Sequence, residues 1–124
     1  MSTLKADTIV ASDGTSPVTL TKQTAAKHLC VFDGTGTAAV DESFNNSSLT
    51  DNGTGRYAIA VTNAFTNLHF VFTGATVGND EAFTYINTHS AKKTASTAAF
   101  RCVQYDGNFF DMDTVDVVSH GDLA

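Results

Sequence analysis

Ser48-Leu49-Thr50-Asp51-Asn52-Gly53-Thr54-Gly55-Arg56-Tyr57-Ala58-Ile59-Ala60-Val61-Thr62 decides the fold. Asn-Gly inside a run of small turn formers supplies positive φ and predicts a type I′ hairpin. The returning segment, Arg56 to Thr62, alternates with period two, so Tyr57, Ile59 and Val61 share one face and Ala58 and Ala60 the other. That is the pattern of a half-buried antiparallel strand, not of a helix.

The same grammar extends in both directions. Upstream, Leu4 to Val10 and Ser16 to Thr21 read as extended pieces around an Asp13-Gly14 turn, and Pro17 places the second at an edge. Lys27 to Phe32 sets His28, Cys30 and Phe32 against Lys27, Leu29 and Val31, and Asp33-Gly34-Thr35-Gly36 turns the chain into Thr37 to Asp41. Downstream come Leu68 to Thr73, with Leu68, Phe70 and Phe72 aligned, then Ala82 to Asn87, Ala98 to Tyr105, Phe109 to Met112 and Val115 to Ser119. Asp106-Gly107-Asn108 predicts another hairpin. Ala91 to Ala99 is the nearest approach to a helix, but its Ser and Thr positions favour a loop entering a strand. The expectation is an all-β fold, an antiparallel β-sandwich or jelly-roll-like barrel over residues 23–124, preceded by a short extended arm, residues 1–22. Phe65, Phe70, Phe72, Phe83 and Phe100 are the first core candidates, each stabilising by roughly 1.5–3 kcal/mol if buried.

Composition limits the function. Seven basic residues against thirteen acidic ones give a net charge of −6, which disfavours nucleic acid and anionic membrane surfaces. No apolar run approaches a membrane span, and Met1 to Val10 lacks the apolar stretch of a signal peptide, which predicts synthesis in a cytoplasm. Cys30 and Cys102, each in an apolar run, read as buried free thiols. His28 and His69 read as hydrogen-bonded histidines within strands, and neither joins a metal-binding spacing with His89 or His120. The Asp33-Gly34-Thr35-Gly36 turn lacks the Gly-Lys-Ser/Thr and helix of a phosphate loop, and no Gly-x-Ser-x-Gly elbow is present. Asp111, Asp113 and Asp116 are a weak calcium candidate, since the positions an EF-hand fills with Gly and Glu hold Asp116 and Asp122. Asp41-Glu42 and Asp80-Glu81 read as loop charges that keep edges from pairing with foreign chains. No catalytic residue, cofactor or required metal is expected.

Several segments together resemble a family. Ser2-Thr3-Leu4-Lys5-Ala6-Asp7-Thr8-Ile9, the Ser12-Asp13-Gly14-Thr15-Ser16 turn and the strand Val18 to Thr21 resemble the start of virion structural proteins of marine tailed phages (cyanophages and phages of marine heterotrophs), with Ala6 where valine is usual. Phe32-Asp33-Gly34-Thr35-Gly36-Thr37, the Ser48 to Tyr57 hairpin, Thr62-Asn63-Ala64-Phe65 and the closing Val115-Asp116-Val117-Val118 are similar to later segments of the same proteins, in the same order. Arg56 stands where an acidic residue is common there.

The resemblance implies a non-enzymatic component of the virion surface, commonly a tail fibre. It implies a homo-oligomer, most often a trimer, docked on a tail or major capsid protein and in contact with a host receptor. Attachment is expected in the arm, at Leu4, Lys5, Asp7, Ile9, Val18 and Leu20, with Asp41 to Asn46 and Asn87 to Lys93 as exposed loops for the host surface. With no heptad repeat or shaft, a capsid decoration protein is the alternative. A carbohydrate-binding module is a third reading. It calls for paired exposed aromatics, and the chain has no tryptophan.

Overall fold

The computed structural model describes residues 12–15, 25–78 and 85–121, with side chains left aside at 25 and 85–92. The fold is all-β: β1 (Ala25–Asp33), β2 (Ala39–Phe44), β3 (Asn46–Asp51), β4 (Arg56–Val61), β5 (Val71–Val77), β6 (Tyr85–Lys93), β7 (Thr97–Val103) and β8 (Thr114–Gly121). They form two antiparallel four-stranded sheets, ordered β2-β1-β8-β5 and β3-β4-β7-β6, packed as a sandwich.

The core is where the period-two reading placed it. Cys30, Phe32, Val115 and Val117 of the first sheet meet Tyr57, Ile59, Ala98, Phe100 and Cys102 of the second, with Met112 between. Phe32 packs edge-on against Tyr57 with ring centroids 4.9 Å apart, and Phe72 lies 5.3 Å from Phe100. Offset and edge-on pairs of this kind add to plain area burial. A smaller cluster holds Val61, Phe65 and Phe70, the two rings stacked 4.1 Å apart. Lysines close this stack: the Lys27 ammonium lies 5.1 Å from the centre of Phe65 and that of Lys93 4.0 Å from Phe70. Of the five core candidates, Phe65, Phe70 and Phe100 are buried, Phe72 is partly buried, and Phe83 lies outside the described residues.

β-bulges correct one facing assignment. Lys27 has no cross-strand partner on β8, because the register passes from Ala26↔His120 to His28↔Ser119. An extra residue bends the strand and re-aims its side chain. Lys27 therefore does not share the outward row of Leu29 and Val31; it is buried, donating to the Ala64 carbonyl at 2.9 Å beside Phe65.

A one-residue hinge joins the sheets. β2 ends at Phe44, β3 begins at Asn46, and Asn45 between them adopts φ 54°, a left-handed conformation that Asn tolerates better than most residues. Its amide nitrogen donates to the Lys27 carbonyl at 2.8 Å, and its amide oxygen accepts from the Asn63 N–H at 2.7 Å. Residues Asp41 to Asn46 are thus an edge strand and hinge, not a loop, and Asn87 to Lys93 belongs to strand β6. The Asp41 and Glu42 charges lie on that edge strand.

Other boundaries also move. β5 starts at Val71, three residues beyond the expected Leu68; Leu68 is exposed, and His69 lies outside any strand. The ring stack with Phe65 pulls Phe70 out of line with a sheet. Phe109 to Met112 forms only an isolated bridge, Val103↔Phe109, beyond the Asp106-Gly107-Asn108 turn. The β3–β4 hairpin stands where expected, but its turn is not type I′. Arg56 N–H donates to the Gly53 carbonyl, and the positive φ angles fall at Gly53 (100°) and Gly55 (61°), not at Asn52. The Asp13-Gly14 turn is present, with Thr15 N–H donating to Asp13 Oδ1 at 2.9 Å. The strand candidates Leu4 to Val10 and Ser16 to Thr21 lie outside the described residues.

Candidate docking surface

Strand pairing fixes which side chains share the solvent face of the first sheet. Phe44 on β2 is opposite Leu29 on β1, Leu29 is opposite Val118 on β8, and Val118 is opposite Thr73 on β5. Directly opposed residues point to the same side of a sheet. Their neighbours Cys30, Val117 and Ser119 are buried, so this row faces out. Val71, Ala75 and Val77 extend it along β5, and Glu42, Val31 and Asp116 form the adjacent row. Phe44 and Val71 are each 61% exposed and Val77 59%. A shallow groove lined by Leu29, Thr73, Ala75, Asp116 and Val118 crosses the patch. Single exposed apolar residues mean little, but a row across four strands is a surface able to bury against a partner.

The second sheet presents different chemistry outward. Arg56, Ala58 and Ala60 on β4 face solvent beside Thr97, Ala99 and Arg101 on β7, while Tyr57, Ile59, Ala98 and Phe100 are buried.

The titratable residues singled out by sequence are tied into the frame. Asp111 Oδ1 accepts from the Gly55 N–H at 2.7 Å and from the Tyr57 hydroxyl at 2.8 Å. It therefore fastens the hairpin to the segment before β8. Asp116 points out from the sheet, and no three His, Cys, Asp or Glu side chains converge on a metal-sized point among the described residues. Burial, then the Asp111 contact, raises the Tyr57 hydroxyl pKa. His28 is fully buried, its Nε2 3.2 Å from Asn46 Oδ1 and its Nδ1 3.4 Å from Ser119 Oγ. Since Asn46 Oδ1 can only accept, Nε2 carries the proton and Nδ1 faces the serine hydroxyl. Burial lowers its pKa, partly offset by Asn46. Cys30 and Cys102 are buried free thiols, pushed up to about 11 and about 12 by burial.

The six arm residues named for attachment, Leu4, Lys5, Asp7, Ile9, Val18 and Leu20, lie outside the described residues. The apolar outer row was missed in the sequence because it joins four strands that are far apart in the chain. Only the outward positions of each strand carried the signal.

No family model matches the chain, and neither a curated protein nor a solved structure matches it. No helix among the described residues is long and apolar enough to cross a membrane.

Proposed function

We propose that the chain is a structural protein of a tailed-phage virion surface, a short tail-fibre or receptor-binding component that works as a homo-oligomer, most often a trimer. The observation that carries this reading is the outward apolar row Phe44, Leu29, Val118 with Val71 and Val77. Leaving such a row in water forgoes roughly 25 cal/mol for each Å² that a partner would cover. The sequence resemblance supplies the biological setting. The sandwich is the exposed body, and residues 1–22 are the arm that docks on a tail or capsid protein. The protein is made in the host cytoplasm and resides in the virion.

Light scattering tests the oligomer. Phe44→Asp with Val118→Asp should yield a folded monomer where the parent chain is oligomeric; a monomeric parent chain would count against the proposal. Deleting residues 2–20 should leave a folded, soluble body that fails to join particles. Normal incorporation of the truncated chain would show that the arm is not the anchor.

A second reading, a capsid decoration protein, is favoured by a single sandwich with no shaft among the described residues. Copy number in purified particles separates the two. A decoration protein matches the number of capsid sites, and a fibre does not.

A further inference from the structure

The chain contains two arginines, and the fold sets them side by side. Arg56 and Arg101 are direct cross-strand partners on β4 and β7, both on the outward face. Their guanidinium carbons lie 4.9 and 5.2 Å from the centre of one ring, that of Phe109. Among the described residues neither makes an ion pair. Like charges directly opposite on a sheet repel. A chain of net charge −6 has thus gathered both of its guanidinium forks at one point, with no carboxylate paired to either among the described residues. The two line an open groove of about 360 Å³ with Asn52, over a floor that includes Ala58 and Ala99.

We propose that this groove binds carboxylate groups of an acidic polysaccharide. Guanidinium forks match carboxylates two bonds at a time, and Phe109 holds both forks in place before the ligand arrives. Asn52 offers an amide to ring hydroxyls, and the alanine methyls offer an apolar floor to a sugar's C–H face. β4 and β7 are the inner strands of their sheet, so their backbone groups are already paired. An acidic peptide could not gain main-chain bonds by adding a strand here, and recognition falls to side chains. The chain's net negative charge repels a densely charged polymer, whereas a uronic-acid chain carries one charge per ring. The proposal deepens the receptor-binding reading above and takes its biological setting from it.

Polygalacturonate is the probe, titrated calorimetrically into the full chain at low salt, with neutral dextran and inorganic polyphosphate as the other arms. Polygalacturonate should bind. R56Q and R101Q should each weaken it by about tenfold or more, and R56K/R101K, which keeps the charge but loses the forks, by severalfold. The Gln variants should keep or raise the urea midpoint, because a repulsion is relieved. No binding by the parent chain, or equal binding by R56Q and R101Q, overturns the proposal. If the Gln variants fail to fold, undiminished binding by R56K/R101K overturns it. Equal binding of dextran removes the role of charge, and Arg-dependent binding of polyphosphate as tight as polygalacturonate removes the saccharide; either result overturns it. Incorporation of R56Q/R101Q into particles is scored separately. Lost glycan binding with normal incorporation is the expected pair, and absence of the parent chain from particles would sink only the virion reading.

Discussion

Tyr57 and Asp111 show how much a single polar contact can carry in this fold. The tyrosine hydroxyl is 2.8 Å from Asp111 Oδ1 and 2.9 Å from the Gly34 carbonyl, and that carboxylate oxygen also holds the Gly55 N–H. One side chain thereby joins two turns and the approach to β8. Tyr57→Phe and Asp111→Ala should each cost about 1–3 kcal/mol, read as a lower urea midpoint, since each leaves buried polar groups without partners. An unchanged midpoint for Asp111→Ala would show that water replaces it at no cost. His28 gives a pH-dependent counterpart. Its pKa is lowered by burial from the ordinary 6.5, so the unfolded chain takes up a proton first as pH falls. The stabilisation from keeping the ring neutral is complete above pH 6.5 and declines as pH drops through 6.5 toward the folded value. The melting temperature should therefore fall between about pH 7 and 5. His28→Gln should flatten that slope; an equal slope in the variant would assign it to other groups.

At the scale of elements, Asn45 decides whether the two sheets share an edge. Asn45→Gly accepts the left-handed backbone but loses the bonds to Lys27 and Asn63, and should cost about 1–3 kcal/mol. Asn45→Ala loses the same bonds and adds roughly 1–2 kcal/mol of backbone strain, so it should melt below the Gly variant. The reverse order would mean that the backbone angle is not what selects Asn here. This hinge also explains which elements the sequence could reveal. β4 was legible from Tyr57, Ile59 and Val61 because one of its faces is buried, and burial is what writes a period of two into a sequence. All six residues of β2 are exposed, so Asp41 to Phe44 had no pattern to show and read as a loop. β5 was misplaced because Phe70 belongs to the ring stack with Phe65 and not to a ladder. The Asn-Gly dipeptide located its hairpin, but Gly55 in the same turn took one of the positive φ angles, and local chemistry does not rank the two glycines. Arg56 and Arg101 are 45 positions apart, and only the β4–β7 register brings them together.

For the whole molecule, the two outer faces differ in kind, and that difference can be tested. The Phe44 row is apolar with Glu42 and Asp116 beside it, while the opposite face carries alanines and both arginines. Substitutions on one should leave the other's readout untouched, as expected for sites far apart without shared partners. Phe44→Asp should abolish association without altering polygalacturonate binding per chain, measured by light scattering and calorimetry on the same preparations. Loss of both together would mean that the groove needs the oligomer.

The pairing of β1 with β8 has a consequence for how the protein is made. Ala25 lies opposite Gly121, so among the described strands the first is completed by the last. A ribosome releasing this chain exposes β1 long before residues 114–121 exist to cover its second edge. The body cannot close until residues 114–121 have emerged, and it folds through contacts that join its two ends. Topologies of this sort fold in milliseconds to seconds, slower than helical domains of the same size. Where many copies are made at once, each would wait with that edge open. The acidic pair on β2, the neighbour of β1, would then guard nascent chains against one another before it ever guarded the finished fold.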